Sequence, residues 1–276
     1  MDVPVGYKRP YASLARSRPL MPNERLRGAV SAKGLTTQRC AELLGVDPKT
    51  VERWITRDRV PHRAHRVAAA DLLGVDETYL WPSVVDDPRT VSAGRAELVE
   101  FYPSRSAVPL ELWRSLIQQA RESVDILVYA GLFLPELHDI TQLGDRARQG
   151  CRIRVLLADP NGAAVRRRGD EEGFGVGLAH RVLLSLRYYE PILTIPGVQV
   201  RLHDTTLYAS IFRVDEAMLV NTHVYGSTAA HNPVIHLRRV PGGRVVDHYL
   251  TSFDRVWAQA EPTSDINAAI AAFNGR

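Results

Sequence analysis

The sequence predicts a multi-domain chain: an all-α domain of about five short helices, then an α/β domain with a mixed sheet. Three observations predict it. Short helical apolar patterns between residues 24 and 81 are punctuated by Gly34, Gly45 and Gly74, each standing where a helix would stop. From residue 106 onward, helical patterns alternate with apolar runs such as VDILVY at 124–129 and IRVLL at 153–157. Charge is divided along the same boundary. Residues 1–70 carry 14 Lys and Arg against 6 Asp and Glu, whereas the remaining 206 residues carry 21 against 25.

Residues 1–22 read as a basic arm, with Pro4, Pro10, Pro19 and Pro22 among Lys8, Arg9, Arg16 and Arg18. The first domain is expected to span 23–82. Asn23 would cap a first helix over 24–33. The stretch 37–56, TQRCAELLGVDPKTVERWIT, then encodes stop, turn and restart within a few positions. Gly45 suits a left-handed helix end, Asp47 an N-cap, and Pro48 the first helical position. Cys40, Ala41, Leu44, Val46, Val51 and Trp54 would form the shared core of the two helices. A fourth helix over 62–73 is expected to bury Ala64, Val67, Ala68, Leu72 and Leu73, and a short one begins at Asp76.

These residues, GLTTQRCAELLGVDPKTVERW, then Pro61, then AADLLGVDETYLWP, resemble the Xre/Cro/repressor family of helix-turn-helix regulators. Departures lie at Thr37, where the family often has a glutamine, and at Ile55 and Arg57 after the second helix. The resemblance implies double-stranded DNA as partner, with the second helix in the major groove. Lys49, Thr50 and Arg53 would face outward, Arg53 being suited to a bidentate contact with guanine. Thr37 and Gln38 would meet a phosphate at a helix N-terminus, and Arg57, Arg59 and Arg63 the DNA backbone.

Residues 83–105 read as a linker that turns apolar near Leu98–Tyr102, and 106–262 as the second domain. Helical patterns are expected around Leu112, Leu116 and Ile117, over 139–149, and over 247–260, the last burying Leu250, Phe253, Val256 and Trp257. Strands are expected at 198–202, 207–214, 218–221 and 234–237. The triplet Arg166–Arg168 beside GDEEG reads as a solvated charged loop. A tail follows at 263–276.

The second domain resembles the phospholipase D-like superfamily in its helix and VDILVY, in RARQGCRIRVLLAD, and in SFDRVWAQA. That family works through His-x-Lys-x4-Asp followed by Gly-Ser-x-Asn. The matching stretch is Tyr208-Ala-Ser210-Ile-Phe-Arg-Val-Asp215, and later Asn221-Thr222-His223-Val224. Only the aspartate remains, so the resemblance implies a fold kept without its reaction, and no catalytic residue is assigned. Tyr208, Ser210, Asp215, His223, Tyr225, His231 and Asn232 are expected to line a former cleft, now an effector pocket or a homodimer interface.

His223, His231 and His236 lack metal-ligand spacing, and no metal or cofactor is expected. Cys40 and Cys151 fall in separate domains, which argues against a disulfide framework. No apolar run reaches the ~18–20 residues of a membrane span, and residues 1–20 lack the apolar core of a secretory signal. The expected location is the cytoplasm. The expected function is a dimeric, sequence-specific transcriptional regulator with a non-catalytic second domain. The alternatives are a DNA-targeted phosphodiesterase with an altered site, or a DNA-bound adaptor.

Overall fold

The computed structural model describes residues 22–84, 88–137, 140–263 and 273. The basic arm, apart from Pro22, lies outside these residues, as does the tail apart from Thr263 and Phe273. The chain forms two compact units, Met1–Asp87 and Pro88–Arg276.

The first unit contains α1 (Glu24–Ala32), α2 (Thr37–Leu44), α3 (Pro48–Thr56), α4 (Arg63–Leu73) and α5 (Glu77–Leu80). Helix starts and stops follow local chemistry. The Asn23 side chain accepts from the Leu26 N–H, Thr36 from Arg39, Asp47 from Lys49, and Asp76 from Thr78. Gly45 and Gly74 end α2 and α4 in the left-handed region, at φ +65° and +71°. The core gathers Leu26, Val30, Cys40, Ala41, Val51, Trp54, Ile55, Ala69, Leu73, Leu80 and Trp81. Trp54 and Trp81 meet edge-to-face with ring centroids 6.2 Å apart. The expected face of α4 is corrected: Ala69, Ala70 and Leu73 are buried, while Ala64, Val67 and Ala68 are exposed. The run RVAAADLL holds apolar residues on both sides of the helix, so its periodicity does not single out one face.

The second unit begins with α6 (Pro88–Glu97) and β1 (Leu98–Tyr102), so much of the stretch read as linker is regular structure. There follow α7 (Leu110–Gln119), β2 (Ser123–Leu127), α8 (Phe133–Leu137), α9 (Thr141–Arg148) and β3 (Arg152–Ala158). Two helices, α10 (Ala163–Glu171) and α11 (Gly177–Tyr189), lead into β4 (Val198–His203), β5 (Ala209–Val214), β6 (Ala217–Thr222) and β7 (Val234–Arg238). The unit closes with α12 (Val245–Gln259) and the two-residue β8 (Glu261–Pro262).

The strands form one mixed sheet in the order β1-β7-β6-β5-β2-β3-β4-β8. Strands β2, β3 and β4 run parallel, and every other pairing is antiparallel. Strand β2 is buried at all five positions, and β3 at all but its first and third, as expected of parallel strands covered on both faces. The charged triad that crosses this core is structural. Asp125, fully buried on β2, receives the Arg154 guanidinium from β3 at 2.6 Å and that of Arg213 from β5 at 2.8 Å. Phe253 and Val256 of α12 are buried as expected, with Leu250 and Trp257 half-buried beside them.

Candidate functional site

Two places carry the chemistry anticipated from sequence. In the first unit, Gly45, Val46 and Asp47 form the turn between α2 and α3, and Pro48 opens α3. Val51, Trp54 and Ile55 turn inward and are buried. Lys49, Arg53, Arg57 and Arg59 are exposed, and none forms an ion pair with another described residue. Thr50 is half-buried at the edge of this face. Thr36, not Thr37, caps α2, leaving Thr37 half-buried and Gln38 exposed in its first turn. The arrangement presents four cations on one helix and the loop that leaves it, backed by an apolar core.

In the second unit, the residues expected to share a cleft separate into three places. Ser210 and His223 meet: Ser210 Oγ lies 3.0 Å from His223 Nε2, and His223 Nδ1 lies 3.1 Å from the Leu207 carbonyl. Asn232 is buried just before β7, near Asn221, whose amide donates to the Asn232 and Pro233 carbonyls, each at 3.1 Å. Tyr208 and Tyr225 instead point outward, 85% and 82% exposed, and His231 is exposed with its ring against the Thr228 hydroxyl.

Asp215 is a correction. It sits at the hairpin turn between β5 and β6, five residues from Ser210 along an extended strand, which is roughly 16 Å. Its carboxylate accepts the backbone N–H groups of Arg121, Glu122 and Ser123 at 2.9, 2.8 and 2.9 Å. Burial alone would raise this carboxyl, but those N–H bonds and Arg213 hold it below the usual range. The residue is a brace for the entry of β2.

The structure also brings together residues that the sequence reading left out of the site. Arg168 is another correction: it lies on α10, not in a solvated loop, and is 4% exposed. Its guanidinium donates to the Ser227 carbonyl at 2.9 Å and pairs with Glu172 at 2.6 Å and Glu171 at 3.4 Å. Its Nε and the Asn221 Oδ1 are buried without hydrogen-bond partners among the described residues. Tyr129, just beyond β2, stacks on His223 at 5.6 Å and accepts the Leu207 N–H on its hydroxyl at 2.9 Å. Arg105 lies over the Phe133 ring at 4.5 Å.

Electrostatics follow from this burial. Desolvation, with Arg168 and Arg105 nearby, pushes the His223 imidazole down to about 4, so it is neutral at pH 7. Desolvation raises the Glu172 carboxyl against the pull of Arg168, and raises the Tyr129 phenol. Desolvation likewise lowers Arg105, opposed by Glu172 and Glu136. The cluster therefore balances its charges internally instead of presenting a bare cationic pocket. Separately, a cavity of about 450 Å³ lies between α10 and α11, lined by Asn161, Val165, Arg166, Asp170, Val176 and Ala179 among others. Among the described residues no group of three or more His, Cys, Asp or Glu is placed to hold a metal. No helix among them is long and apolar enough to cross a membrane. Both cysteines are buried and free.

The second unit is thus an α/β domain with a buried polar cluster around Ser210, Asn221 and His223, near the C-terminal end of β2. The chain belongs to a family described as a domain of unknown function (DUF5919), whose model matches residues 95–264. No curated protein sequence matches the chain. Among solved structures, TrmBL2, described as an archaeal chromatin protein with a novel mode of DNA binding, is similar at 12% identity. The likeness covers 79% of this chain and 72% of that one, with a TM-score of 0.39. Nuc, a phospholipase D family member from Salmonella typhimurium, is similar at 16% identity over 60% of this chain and 95% of its own, with a TM-score of 0.36.

Proposed function

We propose that the chain is a sequence-specific, dimeric DNA-binding transcriptional regulator of the Xre/Cro helix-turn-helix type. In this reading its phospholipase D-like second unit is non-catalytic, joins two copies and responds to an effector in the cytoplasm. One observation carries the reading: α3 buries Val51, Trp54 and Ile55 while exposing Lys49 and Arg53, which no acidic side chain among the described residues occupies. Such cations gain most from phosphates and base edges, because no internal partner must be given up first. Arg53 is assigned to guanine, and Lys49, Thr50, Thr37, Gln38, Arg57 and Arg59 to bases or backbone.

Three features support a non-catalytic second unit. Tyr208, at the nucleophile position of the resemblance, faces solvent; the Ser210 hydroxyl is taken by His223; and Asp215 is held by backbone N–H groups. Tyr208, Val224 and Tyr225 form an exposed aromatic and apolar patch on neighbouring backbone, since the His223 N–H donates to the Tyr208 carbonyl at 2.9 Å. Large aromatic side chains of this kind anchor interfaces, and they support pairing of two copies. The unpartnered Arg168 Nε and Asn221 Oδ1 support an effector with one acceptor and one donor.

The reading is tested by selecting bound duplexes from a random pool at a fixed, stated ionic strength. Enrichment of a defined site is expected, with Arg53→Ala weakening it by about 1–3 kcal/mol and relaxing one base position. A pool that shows no enrichment overturns the proposal. Hydrolysis of a generic phosphodiester that is lost in Tyr208→Phe would favour the phosphodiesterase alternative.

A further inference from the structure

We infer that Arg66, on α4, is a positioning residue for the loop at 57–61, an inference that rests on the DNA-binding reading above. The chain leaves α3 at Arg57 and turns at Asp58, whose φ of +46° lies in the left-handed region that side chains other than glycine seldom adopt. Arg57, Asp58, Arg59 and Val60 are exposed, so the loop has little packing of its own until Pro61, which is buried. Arg66 anchors it there. Its Nη1 donates to the Pro61 carbonyl at 2.7 Å, while its Nε donates to Glu77 Oε1 at 2.5 Å. The Arg66 and Glu77 side chains are only 15% and 9% exposed, so Arg66 is not itself a free phosphate ligand.

A second tether holds the other side of the exit. The Asn23 N–H donates to the Ile55 carbonyl at 2.6 Å, and the Asn23 side-chain amide donates to the Leu80 carbonyl at 2.8 Å. Both tethers end on α5, through Glu77 and Leu80. The short helix therefore fixes the end of the DNA-facing helix and the loop that follows it. A planar guanidinium fork reaches two acceptors at once, which a single ammonium does not reproduce. Ordering the loop before DNA arrives removes the entropy that Arg57 and Arg59 would otherwise lose on binding phosphate.

The test uses the full chain and a duplex selected as above, with affinity measured over a salt series. The variants are Arg66→Met, Arg66→Lys and the double variant Arg57→Ala/Arg59→Ala. Arg66→Lys keeps a cation for Glu77 and releases Pro61. Both Arg66 variants are expected to weaken binding roughly tenfold, to flatten the dependence of log affinity on log salt by up to about 2, and to leave base preference unchanged. Adding Arg66→Lys to the double variant should cause no further loss. Wild-type salt dependence in a folded Arg66 variant overturns the inference, as does a loss that adds fully to the double variant. Loss of the fold in both Arg66 variants overturns it too, since the residue would then be a general support. A wild-type chain that enriches no duplex overturns the DNA-binding reading itself, and this inference with it.

Discussion

His223 and Ser210 are joined side chain to side chain at 3.0 Å, and the other nitrogen of the same ring reaches the Leu207 carbonyl at 3.1 Å. A nitrogen facing a carbonyl must carry the proton, so Nδ1–H donates to Leu207 and Nε2 accepts from the serine hydroxyl. The imidazole is therefore locked in one neutral tautomer, which agrees with its depression to about 4 by burial and by Arg168 and Arg105. A base this weak would accept a serine proton poorly at pH 7.

This pair makes stability depend on pH. Below about 6.5 an unfolded His223 takes up a proton that the folded one refuses until about 4. The unfolded state then binds more protons, so stability should fall as pH drops from 6.5 to 4, by about 3 kcal/mol, and be unaffected above that window. Urea denaturation of wild type and His223→Gln across this range is the check. The variant should be less stable at pH 7 but lose less on acidification. Parallel pH profiles would show that His223 is not the titrating group.

Asp215 yields a second expectation, and one that separates architecture from site chemistry. Asp215→Ala strips acceptors from three N–H groups and leaves a residue with a Cβ at φ +50° without the side-chain bonds that favour it. A loss of about 2–3 kcal/mol is expected in chemical denaturation. Asp215→Asn should recover part of it, because asparagine tolerates the left-handed region and still accepts. A variant as stable as wild type would mean that the β2 entry needs no brace.

The first unit was the more legible of the two, because its signals are local. Asp47, Pro48 and Gly45 each act on the backbone within three residues, and the structure uses each as sequence logic anticipates. The α4 face failed for a related reason: Ala64, Val67 and Ala68 are as apolar as Ala69, Ala70 and Leu73, and only tertiary contact distinguishes them. In the second unit the strands were visible as apolar runs, but α6, α10 and α11 were not. The sequence PRTVSAGRAE of α6 has almost no apolar stripe, and AAVRRRGDE of α10 reads as a charge run. The site suffered most from this. Arg168 reads as solvated because nothing local shows that Glu172 and the Ser227 carbonyl fold over it, and Asp215 reads as a lining residue of the former cleft because a motif alignment carries no distance.

The core of the first unit provides a third expectation. Trp54 is 3% exposed and packs edge-to-face on Trp81. Trp54→Ala should cost about 3–5 kcal/mol and unfold a unit this small, abolishing the proposed DNA binding to every sequence alike. Asp47→Ala, which removes only the side-chain cap on the Lys49 N–H, should cost about 1 kcal/mol and leave the unit folded. Thermal melting of both variants distinguishes them; equal effects would contradict the packing described.

Glu97 supplies the last expectation, and it lies inside the stretch whose sequence reads as linker. The carboxylate is fully buried and accepts the N–H groups of Arg244, Val245 and Val246 at 2.9, 2.8 and 3.2 Å, at the N-terminus of α12. It thus caps a helix nearly 150 residues away in sequence, where the helix dipole favours negative charge. Glu97→Ala should destabilise the second unit by about 3 kcal/mol, since it leaves donors buried and unsatisfied. Gly243 is coupled to it: a Cβ there would stand 2.3 Å from the Glu97 Cδ, so Gly243→Ala must displace the cap. The two substitutions act on one interaction, and the double variant should lose less than the sum of the singles by 1 kcal/mol or more, on the order expected for residues in contact. Strict additivity in a double-mutant cycle would show that the carboxylate does not depend on the space that glycine leaves.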